Sequence, residues 1–259
     1  MPQFAANLTM MFNEVPFLDR FKAASEAGFT AVEFLFPYEH PPEEVASKAK
    51  AAGVQVVLFN MPAGNWAAGE RGIAGLPGRE AEFRESVDKA LVYAECLGVP
   101  RLHAMAGVVP TGADPAVCRA TLISNLKYAA DKLAKRSMTL LLEAINTRDI
   151  PGFIVSTQKD SHEICEAVGA PNLKMQMDLY HMQVMEGDLA TSLRRYASEC
   201  GHIQIAGCPE RHEPDTGEVR YEYLFRLLDE IGYTGWLGCE YRPAAKTTDG
   251  LQWLSAATR

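Results

Sequence analysis

Polar side chains interrupt four apolar segments in the second half of the chain, each of which otherwise has the pattern of a buried strand. These residues are Glu143, Asp178, Gln204 and Glu240. Burying an isolated carboxylate is unfavourable by several kcal/mol unless it is paired or bound to a cation. The residue types therefore indicate chemistry in which carboxylates act together, namely binding of a divalent cation and proton transfer by a general acid and base.

A divalent cation would remove the repulsion between three carboxylates brought to one place. The four side chains would offer it oxygen atoms alone, and such a ligand set favours Mg2+ or Mn2+ over Zn2+. The alternative is that the four are separate residues at strand ends that make ordinary hydrogen bonds and salt bridges. The choice depends on how the strands are arranged.

Short apolar segments alternate with longer amphipathic segments along the chain. The pattern predicts strands at 4–8, 31–36, 54–60, 101–107, 139–145, 173–179, 202–207 and 236–240. It predicts helices at 16–27, 42–52, 80–97, 115–135, 157–168, 189–199 and 221–231. Eight alternating units are typical of the α/β class and of a (β/α)8 TIM barrel. No G-x-G-x-x-G follows the first strand, which argues against an open doubly wound sheet. We predict a single barrel domain spanning residues 1–259.

In such a barrel, strands five to eight are neighbours and their carboxyl ends meet on the catalytic face. Glu143, Asp178, Gln204 and Glu240 are therefore expected to converge there. The segment 61–79 is rich in glycine and proline and follows the third strand, so it lies on the same face as a candidate lid. Glu33, on the second strand, either holds the site residues in place without contacting the substrate or belongs to a buried structural pair.

Composition narrows the class of partner. The 259 residues carry 25 Lys and Arg against 33 Asp and Glu, a net charge of −8, which disfavours a nucleic-acid partner. No apolar run is long enough to span a bilayer, and the first residues lack a signal-peptide pattern. The six cysteines form no CxxC pair, which indicates reduced thiols. We expect a cytoplasmic enzyme without a membrane partner, and a homo-oligomer stays open.

Several stretches resemble those of a known family. They are FAANL at 4–8, VEFLFPY at 32–38, PAGNWAAGERG at 62–72, DLYHMQ at 178–183 and GWLGCEY at 235–241. On these stretches the chain resembles, over essentially its whole length, the hydroxypyruvate isomerase family, which lies in the sugar isomerase and epimerase superfamily of TIM barrels. The family includes 2-oxo-tetronate isomerases, and FNEVPF at 12–17 and HEPDTGE at 212–218 are similar to that branch.

The resemblance implies a role for each of the four polar residues. Glu143, Asp178, Gln204 and Glu240 match the metal positions of the superfamily, and Glu143 and Glu240 also match its proton-transfer pair. The ketose epimerases of the superfamily carry histidine where this chain has Gln204. An amide oxygen is a weaker and harder ligand than imidazole, and this departure argues against zinc.

The resemblance also implies substrate contacts. His181 matches a substrate-binding histidine three residues after the metal-binding aspartate, and Arg211 matches an arginine after the seventh strand. The alternative for His181 is a hydrogen-bonded loop histidine. A 2-oxo acid carries a carboxylate of its own, which calls for an arginine. Arg211 and, from its place after the third strand, Arg71 are the candidates, although Arg71 is equally consistent with a solvated charge paired with Glu70.

We predict a metal-assisted isomerase of small 2-oxo acids that works through an enediolate. It would convert hydroxypyruvate to 2-hydroxy-3-oxopropanoate (tartronate semialdehyde), or 2-oxo-tetronate to 3-oxo-tetronate. One alternative is a ketose 3-epimerase acting on neutral sugars. A second is a metal-dependent DNA endonuclease, which would need further histidine ligands and a basic face. A third is a barrel that binds a ligand without catalysis.

Overall fold

Residues 2–257 are described by the computed structural model, and their eight parallel strands close into a barrel. Each strand pairs with its neighbour in the chain, and the first pairs with the last. The strands are β1 (Gln3–Asn7), β2 (Ala31–Phe34), β3 (Gln55–Asn60), β4 (Arg101–His103), β5 (Thr139–Glu143), β6 (Leu173–Asp178), β7 (Cys200–Ile205) and β8 (Trp236–Cys239). This arrangement confirms the predicted (β/α)8 fold.

Helices follow the strands and cover the outside of the barrel. They are α1 (Phe17–Glu26), α2 (Pro42–Ala52), α3 (Glu80–Leu97), α4 (Pro115–Ala134), α5 (Gln158–Val168), α6 (Leu179–Met185), α7 (Leu189–Tyr196), α8 (Tyr221–Glu230) and α9 (Gln252–Ala257). Short 3-10 turns lie at Trp66–Ala68, Ala197–Glu199 and Thr247–Gly250. Among the described residues, no helix is both long and apolar enough to cross a bilayer.

The interior of the barrel changes from apolar to polar along the strands. Side chains two residues apart point to the same side of a strand. Ala5, Ala31 and Leu141, which belong to a small buried apolar cluster, stand two residues before Asn7, Glu33 and Glu143. The polar layer therefore sits at the carboxyl ends of the strands, where the sequence pattern places the catalytic face.

Helix α6 is absent from the sequence prediction, which has the sixth strand continue to residue 179. The strand ends at Asp178, whose Oδ1 accepts a hydrogen bond of 2.8 Å from the backbone N–H of Tyr180. Aspartate in this position caps a helix by satisfying an N–H of its first turn. Asp178 therefore ends β6 and begins α6, which turns His181 back toward the barrel mouth.

The segment 61–79 is held against the chain that follows β4. Gly72 forms an antiparallel bridge with Ala106, and its N–H bonds to the carbonyl of Ala63. Gly72 has a φ of +117°, and a Cβ there would lie 2.4 Å from the carbonyl oxygen of Met105. Only glycine fits this close approach of two backbones. The candidate lid is thus fixed at its middle.

We expect Gly72→Ala to destabilise the barrel more than Gly78→Ala. Gly78 also has a positive φ, of +83°, but a Cβ there would meet nothing within 4 Å. The control should lose about 1 kcal/mol from the left-handed backbone alone, and Gly72→Ala about 3 kcal/mol, because backbone atoms must also move. Urea unfolding of the two variants measures the difference, and equal losses would contradict the fixed attachment.

Candidate active site

Three acids and one histidine meet at the carboxyl ends of strands β5 to β8. Glu143 ends β5, Asp178 ends β6, His181 lies in α6 and Glu240 directly follows β8. One ligand atom from each lies within 4.8 Å of the others, and all four side chains are buried. We call these residues the four-residue cluster. They bring together three of the four predicted metal positions, both predicted proton-transfer residues and one predicted substrate-binding residue.

Glu143 has the least satisfied carboxylate of the cluster. Its Oε1 is buried and has no hydrogen-bond partner among the described residues. Two histidine nitrogens lie near the carboxylate but beyond hydrogen-bond range: His181 Nε2 is 3.8 Å from Oε1, and His103 Nδ1 is 3.7 Å from Oε2. Burial raises the pKa of Glu143 well above its ordinary value, and the charges of Glu240 and Asp178 raise it further. Glu143 therefore has an oxygen free to take a proton or a cation.

Arg211 supplies the positive charge of the site. Its Nη2 donates to Glu240 Oε2 at 2.7 Å and to Asp178 Oδ2 at 3.1 Å. Burial raises the pKa of Glu240 to about 8, while the Arg211 guanidinium acts in the opposite direction. Burial likewise raises the pKa of Asp178, and the charge of Arg211 acts to lower it. One guanidinium thus offsets only part of the cost of burying three acids together.

His181 is held as a hydrogen-bond donor toward the cluster. Asn146 Oδ1 accepts from the Asp149 backbone N–H at 2.7 Å, so its Nδ2 faces His181 Nδ1, at 2.5 Å. A nitrogen that accepts from an amide carries no proton, so the proton of the neutral ring lies on Nε2. Burial lowers the pKa of His181 well below its ordinary value, and Arg211 lowers it further. Its Nε2 lies 3.5 Å from Asp178 Oδ2.

Gln204, the fourth predicted metal residue, lies in the same polar layer but is hydrogen-bonded on both sides. Its Nε2 donates to Glu33 Oε1 at 2.8 Å, and its Oε1 accepts from Gln176 Nε2 at 2.6 Å. One lone pair of the amide oxygen remains available. Its role as a metal ligand stays a prediction.

Arg71, the third predicted substrate-binding residue, lies in the segment 61–79. Its guanidinium stacks on the Trp66 ring at 4.1 Å and donates to the backbone carbonyls of Trp66 and Glu70. The Glu70 carboxylate pairs with Arg79 instead. No contact joins Arg71 to the four-residue cluster in the described part of the chain, and its role in substrate binding also stays a prediction.

Sequence reasoning missed two residues of the site. Asn7 donates to Glu240 Oε1 at 3.3 Å, and Asn146 Nδ2 contacts His181 Nδ1. Asn7 and Asn146 are polar residues at or just beyond strand ends, which is the signal that could have found them.

A family model and similar proteins of known sequence or structure match nearly the whole chain. The family model described as xylose isomerase-like TIM barrel matches residues 21–257. A protein of Cupriavidus necator named 2-oxo-tetronate isomerase is 57% identical over 254 residues, 98% of each chain. A protein of Escherichia coli named hydroxypyruvate isomerase is 46% identical over 254 residues, again 98% of each chain. A crystal structure from Brucella melitensis, described as AP endonuclease, family 2, has a TM-score of 0.97 and 51% identity, covering 99% of each chain.

We expect nitrogen-15 NMR to find His181 neutral and protonated on Nε2 in metal-free protein at pH 6. A histidine with a pKa near ~6.5 would be mostly charged at that pH. The Asn146→Leu variant should lose this preference, because nothing then donates to Nδ1. A charged ring, or the same tautomer in the variant, would contradict the assignment.

Proposed function

We propose that the substrates of this protein are small 2-oxo acids. The premise is that the chain belongs to the xylose isomerase-like TIM barrel family and is an isomerase. The family and the enzyme class confirm the predictions made from the sequence motifs. The names of the two relatives supply the substrates: 2-oxo-tetronate for the one at 57% identity and hydroxypyruvate for the one at 46%. The higher identity favours 2-oxo-tetronate. The observation that carries the proposal is the four-residue cluster beside Arg211.

The residues fit a divalent cation. Glu143 Oε1 is buried without a donor, and the pKa values of all three acids are raised because they are buried together. The spread of 4.8 Å is near the roughly 4.2 Å between opposite oxygens around Mg2+. Glu143, Asp178 and Glu240 would hold Mg2+ or Mn2+, with the Gln204 oxygen as the predicted fourth ligand. A bound ion would polarise the substrate carbonyl and orient its oxygens.

The two glutamates divide the proton transfer. A base takes the proton from C3, the electron pair forms the C2–C3 double bond of an enediolate, and a proton returns to C2. The hydroxyl proton moves from O3 to O2, so that the carbonyl passes from C2 to C3. Glu143 has a free oxygen, whereas both oxygens of Glu240 accept hydrogen bonds, from Asn7 and Arg211. We assign the first proton abstraction to Glu143 and the return to Glu240.

His181 and Arg211 complete the site. The Nε2–H of His181 would donate to the substrate oxygen that becomes negative in the enediolate. Arg211 lies between the cluster and the Tyr180 ring, 4.8 Å from the ring centre, and would pair with the substrate carboxylate. Arg71 is the second candidate for that carboxylate.

The Brucella structure is described as an endonuclease, so a metal-dependent DNA endonuclease is included among the activities to be tested. Binding to DNA depends on Lys and Arg side chains that neutralise phosphates. This chain carries a net charge of −8, and its four-residue cluster contains a single imidazole. The acid-isomerase proposal therefore has the better chemical fit, as it does over an epimerase of neutral sugars, which has no need of an arginine at the cluster.

The proposal is tested by proton NMR in D2O with EDTA-treated protein and added Mg2+ or Mn2+. Both acids are expected to exchange deuterium at C3, with faster conversion of 2-oxo-tetronate. Glu143→Gln and Glu240→Gln should each lose about 100-fold or more, because each removes a proton carrier. Glu44→Gln, at an exposed position on α2, is the matched control.

Two other outcomes would change the proposal. Conversion without any added metal would remove the cation from the mechanism and keep the isomerase. No turnover or exchange of either acid would overturn the proposal; a ketose and a duplex with an abasic site, offered in parallel, would then identify an epimerase or an endonuclease.

A further inference from the structure

A second buried carboxylate, Glu33, lies beneath the four-residue cluster and outside it. Glu33 is 1% exposed and lies on β2. Three side chains from β1 and β7 reach it: His202 Nε2 at 2.6 Å, Gln204 Nε2 at 2.8 Å and Asn7 Nδ2 at 3.0 Å. A carboxylate so fully surrounded by donors is a fixed acceptor.

The Glu33 carboxylate packs against a glycine of the neighbouring part of the barrel, where a larger residue would collide with it. Gly238 lies on β8, and a Cβ there would stand 2.3 to 2.5 Å from the three carboxyl atoms of Glu33. No other residue fits unless Glu33 moves. The position of Glu33 is therefore set by the strands around it as well as by its hydrogen bonds.

Glu33 accepts hydrogen bonds from two side-chain amides, one of which also contacts the cluster. A carboxylate oxygen accepts, so Asn7 and Gln204 both turn their NH2 groups toward Glu33 Oε1. Asn7 Nδ2 then also donates to Glu240 Oε1, at 3.3 Å, and Asn7 Oδ1 accepts from the Thr9 backbone N–H at 3.1 Å. Gln204 Oε1 is turned away from Glu33. The same atom of Asn7 thus joins Glu33 to Glu240.

We propose that Glu33 is a positioning residue, which orients the Glu240 carboxylate through Asn7 and presents the Gln204 oxygen, rather than a residue that serves barrel stability alone. The inference rests on the proposed function for its catalytic consequence, but its effect on cation binding does not. With a neutral amide in place of Glu33, Asn7 and Gln204 lose their charged acceptor. Asn7 is then held in its direction by the Thr9 N–H alone and Gln204 by Gln176 alone, so the contact of Asn7 with Glu240 is weakened. Residues that orient metal ligands typically change affinity or activity by about 10- to 100-fold when replaced.

The test uses the full chain with Glu33→Gln, Asn7→Ala and the double variant, with Glu44→Gln as the control. Glu33→Gln should lower kcat about 10- to 100-fold with KM within about threefold, and weaken Mn2+ binding, measured by electron paramagnetic resonance, about 10-fold. Because Glu33 acts on Glu240 through Asn7, the double variant should lose less kcat than the product of the two single losses, although the separate bond to Gln204 lets it lose more than Asn7→Ala alone. A residue that serves stability alone would lower Tm without this coupling.

Two results would overturn the inference: Mn2+ affinity and kcat of Glu33→Gln within twofold of the parent chain, or losses that multiply in the double variant. Should Glu33→Gln fail to fold, Glu33→Asp takes its place, because the shorter side chain withdraws the carboxylate from Asn7 and Gln204 while keeping its charge. Mn2+ binding is read without substrate. A parent chain that turns over neither acid would therefore defeat the proposed function and leave this inference to be judged on Mn2+ affinity.

Discussion

Burial of three carboxylates at one point is the constraint on which the site depends. Each acid left unpaired in a low-dielectric environment is unfavourable by several kcal/mol, and like charges nearby add to that cost. Arg211 pairs with Asp178 and Glu240, and burial lowers the pKa of His181, which disfavours a second positive charge there. Glu143 keeps an oxygen without a donor. The buried Glu143 carboxylate is therefore in an unfavourable environment, and binding of either a proton or a cation would relieve it.

The fold was readable from the sequence because parallel strands are buried on both sides and leave uniform apolar runs. All eight predicted strands exist, but several end earlier than predicted. The fourth was expected to reach residue 107 and ends at His103. Ala104 still donates to the carbonyl of Leu141 in β5, but Ala106 is bridged to Gly72 of the segment 61–79 and is buried there without pairing with β5. An apolar segment therefore predicts that its residues are buried, but it does not predict whether a neighbouring strand or a loop covers them.

Within the site, residues that break an apolar run were predictable and those that orient them were not. Glu143, Asp178 and Glu240 stand out as charges in apolar segments. Asn7 is 233 residues from Glu240 and Asn146 is 35 from His181, and both act through the direction of an amide group. That direction follows from the whole network: a backbone N–H sets Asn146, and Glu33 sets Gln204. Helix α6 was missed for a related reason, because Asp178 was interpreted as the end of a strand and not also as the cap of a helix.

Arg211 must satisfy the cluster and, in the proposed mechanism, a substrate carboxylate as well. Its donors are divided in a way that allows both. Nη2 serves Asp178 and Glu240, and Nε donates to the backbone carbonyl of Glu240 at 3.3 Å. Within residues 2–257, Nη1 has no hydrogen-bond partner, and the carboxylate of Asp149 lies 3.8 Å from it. A guanidinium has five N–H donors in a rigid plane, so holding it by one edge fixes where the other edge points. The bonds that anchor Arg211 to Asp178 and Glu240 therefore also fix the direction of Nη1, and in the proposed mechanism a substrate carboxylate bound there would be placed relative to Glu143 and Glu240.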